Sequence, residues 1–459
     1  MLTVAANPSS AAPNAETATT GDAAALPQPQ HSIWWARIGV LACIAGAVWR
    51  YVWIFRLHPP TEYVYSDMAF YVEIAKRLLQ PDYTGAIYDT IYPPAMGYSI
   101  AWCNALDPSN QLYVTLQFLM ALAVPLLLGF IAKTLFDIRV AWLTLILASL
   151  WFPFVDYAGF FLAETPFMFF MLLSLCALLR GLLAKGTGGA IGWAVLSGFA
   201  FAISAEFKGQ ALMPAGLMAL FLTYIFWKRQ RKRILILQGA ALLSALTIML
   251  PVAAHVTRLN EGRPALVSTN GALMFLTGHH GHYGHLVFND APRNFYFISF
   301  NPTHVEHGND GKSVYEFGAY DSDKIMQVAW KWIYNHKLES LQLSFDHIFD
   351  TFYGSLPWPS SSTVDRRWVI TFQNIFLVGI FIPICIHLTQ NWRAMVRLKP
   401  EVFGELFVFI PVLGLIVTVF LTMGEPRYRI PFDGFLLILA ARYYLKRTAP
   451  RPQPFLETV

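Results

Sequence analysis

Two carboxylates and three cations stand out in this chain of 459 residues, because each lies beside a long apolar run. Asp67 opens the stretch SDMAFYVEIAKRLL, and Glu164 sits in FFLAETPFMFF with apolar residues on both sides. Lys208 lies in SAEFKGQALMP, while Glu425, Arg427, Tyr428 and Arg429 crowd GEPRYRIP at the mouth of a run that is apolar from Ile430 to Ala441. A charge beside lipid is costly, so such charges serve a substrate, a partner charge or the membrane edge. The carboxylates have the chemistry of a general base and of a metal or substrate ligand. The guanidinium fork matches phosphate oxygens, so Lys208, Arg427 and Arg429 read together as a grip for a phosphate at headgroup depth. Each residue also has a plain structural reading. Asp67 is common in a first helical turn, Glu164 could start a helix ahead of Pro166, and the cations could snorkel or pair with Glu206 and Glu425.

A fourth feature is TNGALMFLTGHHGHYGHLVFND, with Asn270 at its start and His279, His280, His282 and His285 among glycines. Imidazoles at this spacing could share an ion. No cysteine or fixed carboxylate completes a standard pattern, so the preferred reading is a flexible loop in which Asn270, His279 and His280 touch a polar substrate. No metal ligand set is assigned and no cofactor is required; a divalent cation is left open.

The elements that must position these groups are membrane helices. With 56% hydrophobic and 13% charged residues, the chain is too apolar for a soluble domain. A spanning helix needs roughly 20 apolar residues, which predicts ten spans: about 33–55, 112–132, 140–157, 166–183, 190–206, 210–227, 234–256, 369–389, 403–422 and 430–446. The stretch from Tyr92 to Leu106 is short, opens with two prolines and reads as re-entrant or surface-lying. In the preceding segment Ser66 is a candidate N-cap, and Phe70, Ile74 and Leu78 recur at helical spacing, predicting an amphipathic surface helix with Asp67 pointing out of it. The four cysteines are far apart in apolar segments and read as core residues.

Lys and Arg concentrate on the cytoplasmic side of membrane proteins. Placing KRQRKR at 228–233, RAMVRLK at 393–399 and the basic tail inside puts all five candidate stretches on the outer face. The expected organisation is a disordered cytoplasmic tail at 1–32, a transmembrane module at 33–256 with a first external loop at 56–111, a large external loop at 257–368, C-terminal helices at 369–447 and a cytoplasmic tail at 448–459. The expected setting is a bacterial inner membrane with the site facing the periplasm. The net charge of +5 is spread over short loops, so nucleic acid is not an expected partner.

SDMAFYVEIAKRLL, YPPAMGYSI, LAETPFMFFMLL, TNGALMFLTG and GEPRYRIPFDGFLLILAA, in that order over about 35–445, resemble the membrane-embedded GT-C glycosyltransferases. The likeness is to the group around the protein O-mannosyltransferases and the lipid A aminoarabinose transferase. The resemblance implies an all-α polytopic GT-C-like bundle. It further implies a polyprenyl-phosphate sugar donor, a glycan, lipid or protein acceptor, a catalytic carboxylate at Asp67 and a second acidic position at Glu164. Two departures are Lys208, where relatives often carry Arg, and His-His-Gly after the loop glycine, where they often read Asn-Asn-Pro. A lipid-linked sugar transporter or flippase and a non-catalytic envelope-assembly subunit are the competing readings.

Overall fold

The computed structural model describes residues 31–280, 284–290, 293–299, 311–353 and 366–445. The expected tail at 1–32 falls almost wholly outside these residues, and that at 448–459 wholly outside. The protein is an integral, multi-pass, all-α membrane bundle. Among the described residues eight helices are long and apolar enough to cross a membrane, and nine if a bent pair counts as one span.

The chain enters through α1 (His31–Val52), which widens into a π-helical turn at Trp53–Leu57. Two short helices, α2 (Asp67–Leu78) and α3 (Ala95–Leu106), follow and pack on one another. At 1.5 Å per residue α3 is only about 18 Å long, too short to cross, in keeping with its expected non-spanning status. Ser66 holds the N-cap position of α2, but its side chain makes no capping bond and its φ is +50°. A serine in that region is strained, and the strain sits next to Asp67.

Helix α4 (Gln111–Leu135) is followed by α5 (Ile138–Ser149) and α6 (Phe152–Asp156), with a 55° bend between Ile138–Ser149 and Phe152–Gly159. Pro153 cannot continue the α5 ladder. The carbonyls freed at the bend are not orphaned, because buried Arg50 donates to Ser149 O at 2.6 Å and Ala148 O at 3.1 Å. Helices α7 (Glu164–Leu183) and α8 (Thr187–Phe207) form a hairpin. The run α9 (Leu212–Leu259) is two spans that meet where Gln230 leaves helical geometry, inside the basic KRQRKR segment.

The large loop is less soluble-looking than its composition suggests. It opens with α10 (Asn270–Gly278) and a three-stranded sheet of order β2-β1-β3. Strand β1 (Gly284–Asp290) pairs antiparallel with β2 (Arg293–Ser299), Gly284 opposite Ser299, and parallel with β3 (Gly311–Tyr315), Gly284 opposite Gly311. Ile91 from the first loop shares a small core with Leu273, Leu276, Leu286, Phe288 and Ile325, so the two loops fold as one unit. Two further helices, α11 (Ser322–Asn335) and α12 (Lys337–Tyr353), complete it.

The C-terminal part comprises α13 (Arg366–Ile375), a π-helical turn at Phe376–Phe381, α14 (Ile382–Val396), α15 (Phe403–Leu421), the short α16 (Pro426–Arg429) and α17 (Asp433–Leu445). The tenth expected span, 430–446, is corrected here. Its helix is 13 residues long, about 20 Å against a hydrocarbon core of about 30 Å. Nearly every one of its side chains is buried. A helix that is apolar all round can be a lipid span or the centre of a bundle, and hydropathy does not separate the two.

Candidate active site

The α2 start, the α7 start, the α8–α9 corner and the 422–429 segment converge on one cavity of about 750 Å³. Arg427 is at its centre. Its Nη1 lies 3.1 Å from Asp67 Oδ2, and its Nε lies 3.0 Å from Glu425 Oε1 and 3.3 Å from Glu164 Oε1. Lys208 Nζ donates to the same Glu164 oxygen at 2.8 Å and stands 5.1 Å from the Tyr428 ring centroid. Tyr92 Oη donates to the other Asp67 oxygen at 2.8 Å.

Each position follows from its local sequence. Asp67 is the first residue of α2 and Glu164 the first of α7, so both carboxylates stand at helix N-termini, where negative charge is favoured. Lys208 ends α8 as its C-cap, where the dipole favours a cation. Two glycines let the segments close around them. A Cβ on Gly278 would fall 1.7 Å from Thr422 O, and one on Gly424 would fall 1.9 Å from His347 O. Only glycine permits these backbone contacts, and they bring α10 and α12 against the segment that carries Glu425 and Arg427.

The balance of charge differs from the expected grip. Three carboxylates meet two cations, leaving one net negative charge among the described groups of the cluster. Burial pushes the Glu425 carboxyl up, against the pull of Arg427 and Lys208. It pushes the Lys208 ammonium down, against the pull of Glu164. Burial also works against the Arg427 charge, yet Glu425, Glu164 and Asp67 outweigh it and hold that guanidinium well above its ordinary range. Burial, reinforced by Asp67, raises the Tyr92 phenol and keeps it a donor.

Asp67, Glu164, Lys208, Asn270, Glu425, Arg427 and Tyr428 line the cavity. Three other candidates do not. Arg429 turns away into the bundle, 2.8 Å from Asp433, with Gln373 Oε1 and Phe352 O as further acceptors and the Phe376 ring 3.5 Å from its guanidinium carbon. It joins the bundle rather than the phosphate grip, since a helical i,i+4 partner inside a dry core outcompetes a distant site. His279 is buried between Ser340 Oγ at 2.9 Å and Leu421 O at 3.1 Å, and His280 is buried beside it. The stretch expected as a flexible loop is helix and strand on either side of residues 281–283; His282 lies outside the described residues, as does the side chain of His285. Among the described residues no three His, Cys, Asp or Glu side chains could hold a metal ion. Lys208 pairs with Glu164 rather than with Glu206, whose buried carboxylate oxygens have no hydrogen-bond partner among the described residues.

Sequence reasoning missed Tyr92 and Gln210. Tyr92 is the first residue of YPPAMGYSI, a segment read for its shortness, its prolines and its place among the GT-C-like motifs but not for a side chain of the site. Gln210 lines the cavity with its amide oxygen unpartnered among the described residues, as does Asn270.

A model of the family described as dolichyl-phosphate-mannose-protein mannosyltransferase matches residues 110–258. No curated protein matches the chain. Among solved structures it is similar to the Archaeoglobus fulgidus oligosaccharyltransferase AglB in complex with an inhibitory peptide and a dolichol-phosphate. That match has 13% identity and a TM-score of 0.50 over 92% of this chain and 53% of that one. An Archaeoglobus fulgidus oligosaccharyltransferase tethered to an acceptor peptide with an NVT sequon matches at 13% identity and a TM-score of 0.51, over 89% of this chain and 49% of that one. ArnT from Cupriavidus metallidurans aligns over 91% of this chain and 78% of its own, at 14% identity and a TM-score of 0.41. The chain spans about half the length of the oligosaccharyltransferases it matches. The GT-C resemblance read from the sequence motifs is borne out by the family model and by this fold.

Proposed function

We propose that this cavity transfers a sugar, hexosyl or pentosyl, from a polyprenyl-phosphate-linked donor to an envelope acceptor, with Asp67 as general base. The observation that carries the reading is the meeting of Asp67 and Arg427, 3.1 Å apart, in a cavity of about 750 Å³ walled by membrane helices. The family match to lipid-phosphate-sugar-dependent mannosyltransferases and the fold shared with a dolichol-phosphate-binding enzyme support it.

In this reading the donor phosphate enters beside Arg427 and Lys208 and competes with the carboxylates that hold them. Drawing Arg427 toward phosphate loosens its bond to Asp67 and leaves a carboxylate oriented by Tyr92. That carboxylate takes the proton of the acceptor hydroxyl or amine while the acceptor attacks the anomeric carbon. The bond from that carbon to the phosphate oxygen breaks, its electrons stay on the phosphate, and the two cations stabilise the charge. Phosphate is a weak base on leaving, so no general acid is needed. A single displacement inverts the anomeric centre. Glu164 positions both cations, and Gln210 and Asn270 offer acceptors to sugar hydroxyls. Arg427 occupies the space between the carboxylates, so the reading draws on no divalent cation. Membrane lipids supply the donor's surroundings, and the distribution of basic loops supports a site on the periplasmic face of a bacterial inner membrane.

Purified protein incubated with a polyprenyl-phosphate sugar and an envelope extract should release free polyprenyl phosphate, the sugar passing to an acceptor in the extract or to water. A transporter or a carrier-binding subunit would leave the donor intact.

A further inference from the structure

Helix α12 is built inside out. At roughly 100° per residue, Leu338, Leu341, Phe345, Phe349 and Tyr353 share one side, and all five are exposed, Leu338 at 84% and Phe345 and Phe349 at 59% each. The opposite side carries Ser340, Ser344, His347 and Thr351, and all four are buried. The inward polar face is largely paired, with His347 Nδ1 the one exception among these four described side chains. His347 Nε2 lies 2.9 Å from Gly278 O, Ser340 meets His279, and the Ser344 and Thr351 hydroxyls donate to the carbonyls one turn back. Glu339, Asp346 and Asp350 fall on one flank between the two faces. The helix therefore has a protein side, an apolar side and an acidic side, whereas a helix in water turns its polar face outward.

We infer that the apolar side of α12 is immersed in the acyl-chain region of the membrane leaflet on the cavity side, and that Glu339, the exposed acid of its flank, faces water. Continuity argues for lipid as the occupant. The Phe345 ring stands 5.5 Å from that of Phe420, on the membrane span α15. The stripe thus prolongs the surface that α15 presents to lipid. Its composition fits the interface, with exposed Trp330 and Tyr334 of α11 at the near end and Lys337 set 4.8 Å over the Tyr334 ring. A contiguous exposed patch of this kind marks an interaction surface. Because Gly424 packs directly on His347 O, the depth of α12 fixes the depth of Glu425 and Arg427. The large loop then sets the cavity at headgroup level, independent of the chemistry proposed for it.

The test uses the full chain in phosphatidylethanolamine and phosphatidylglycerol nanodiscs, with Cys43, Cys103, Cys176 and Cys385 replaced by serine. A nitroxide is placed by Leu341→Cys, Phe345→Cys, Phe349→Cys or Glu339→Cys in turn. We expect dissolved oxygen to relax the label more than a water-soluble nickel chelate at 341, 345 and 349, with the order reversed at 339. Nickel access at 345 and 349 would overturn the inference. So would spin–spin broadening that vanishes on dilution with unlabelled protein, which would mean a second copy covers the stripe, and so would exclusion of both reagents. Should the cysteine-free background fail to fold, p-benzoylphenylalanine at 345 in the otherwise native chain should give a phospholipid adduct on irradiation. Its absence, with reaction only to protein, would equally refute the placement.

Discussion

The guanidinium of Arg427 lies 3.1 Å from the carboxylate of Asp67, although 360 residues separate them in the chain. This contact closes the cavity between the first external-type loop and the last helical segment, and it makes Arg427 a structural tie as well as a candidate phosphate ligand.

Removing that tie is expected to unsettle the fold. Arg427→Ala leaves Asp67, Glu164 and Glu425 facing one another with Lys208 as the sole cation of the cluster. Breaking a buried pair by deleting one partner costs on the order of 3–5 kcal/mol. The Arg427→Ala protein should melt well below the parent, and adding Glu425→Gln should recover part of the loss. Equal melting of parent and Arg427→Ala would refute the arrangement.

Arg429 should behave differently. It is buried and held by Asp433, Gln373 and the Phe376 ring, outside the cavity. Arg429→Ala should lower stability by a comparable several kcal/mol while the donor KM of the protein that remains folded is unchanged. A selective rise in KM without loss of stability would return Arg429 to the phosphate site.

Packing at the two glycines gives a sharper mutation. Gly278→Ala places a methyl group 1.7 Å from Thr422 O, so α10 must part from the end of α15. Large loss of stability, or failure to accumulate in membranes, is the expected result; a parent-like melting temperature would contradict the close approach.

On α12 the Asp350 carboxyl is pushed up to about 7 by burial and by Asp346. Its value rises on folding, so the folded state binds the proton more tightly. The stabilisation is complete below the ordinary carboxylate range near 3.8 and is lost as pH rises through about 7. Asp350→Asn should flatten the fall in melting temperature between pH 5 and pH 8. An unchanged slope would contradict the assignment.

Transfer activity is expected to survive extensive treatment with a chelator, because Arg427 already stands between Asp67, Glu164 and Glu425. Loss of activity on chelation, restored by magnesium or manganese, would show that an ion takes part.

Much of this was legible in the sequence. Among the described residues, apolar runs located eight of the ten expected spans, or nine if the bent pair is one span, because a lipid-facing helix must be apolar over a fixed length. Charges isolated in apolar surroundings pointed to Asp67, Glu164, Lys208 and Arg427, since burying them demands partners. The failures share a cause. Whether 430–446 faces lipid or protein, whether Arg429 turns toward Asp433 or the cavity, and which acid holds Lys208 depend on contacts between distant segments. Local pattern carries no record of those contacts. The His279 cluster misled for the same reason, as its partners Ser340 and Leu421 come from helices 61 and 142 residues away. The polarity of α12 was in plain view in the sequence, but its inversion was not, because a period alone does not say which face is inside.

The most direct test of the central claim is a single-turnover assay of polyprenyl phosphate released from a polyprenyl-phosphate sugar, run on the parent and on Asp67→Asn. A positioned general base contributes roughly 10²–10⁴-fold. The parent should therefore release product with an inverted anomeric centre, and the folded Asp67→Asn protein should be slower by that factor at saturating donor. Release by Asp67→Asn at the parental rate, or none by the folded parent with any polyprenyl-phosphate sugar, would contradict the account.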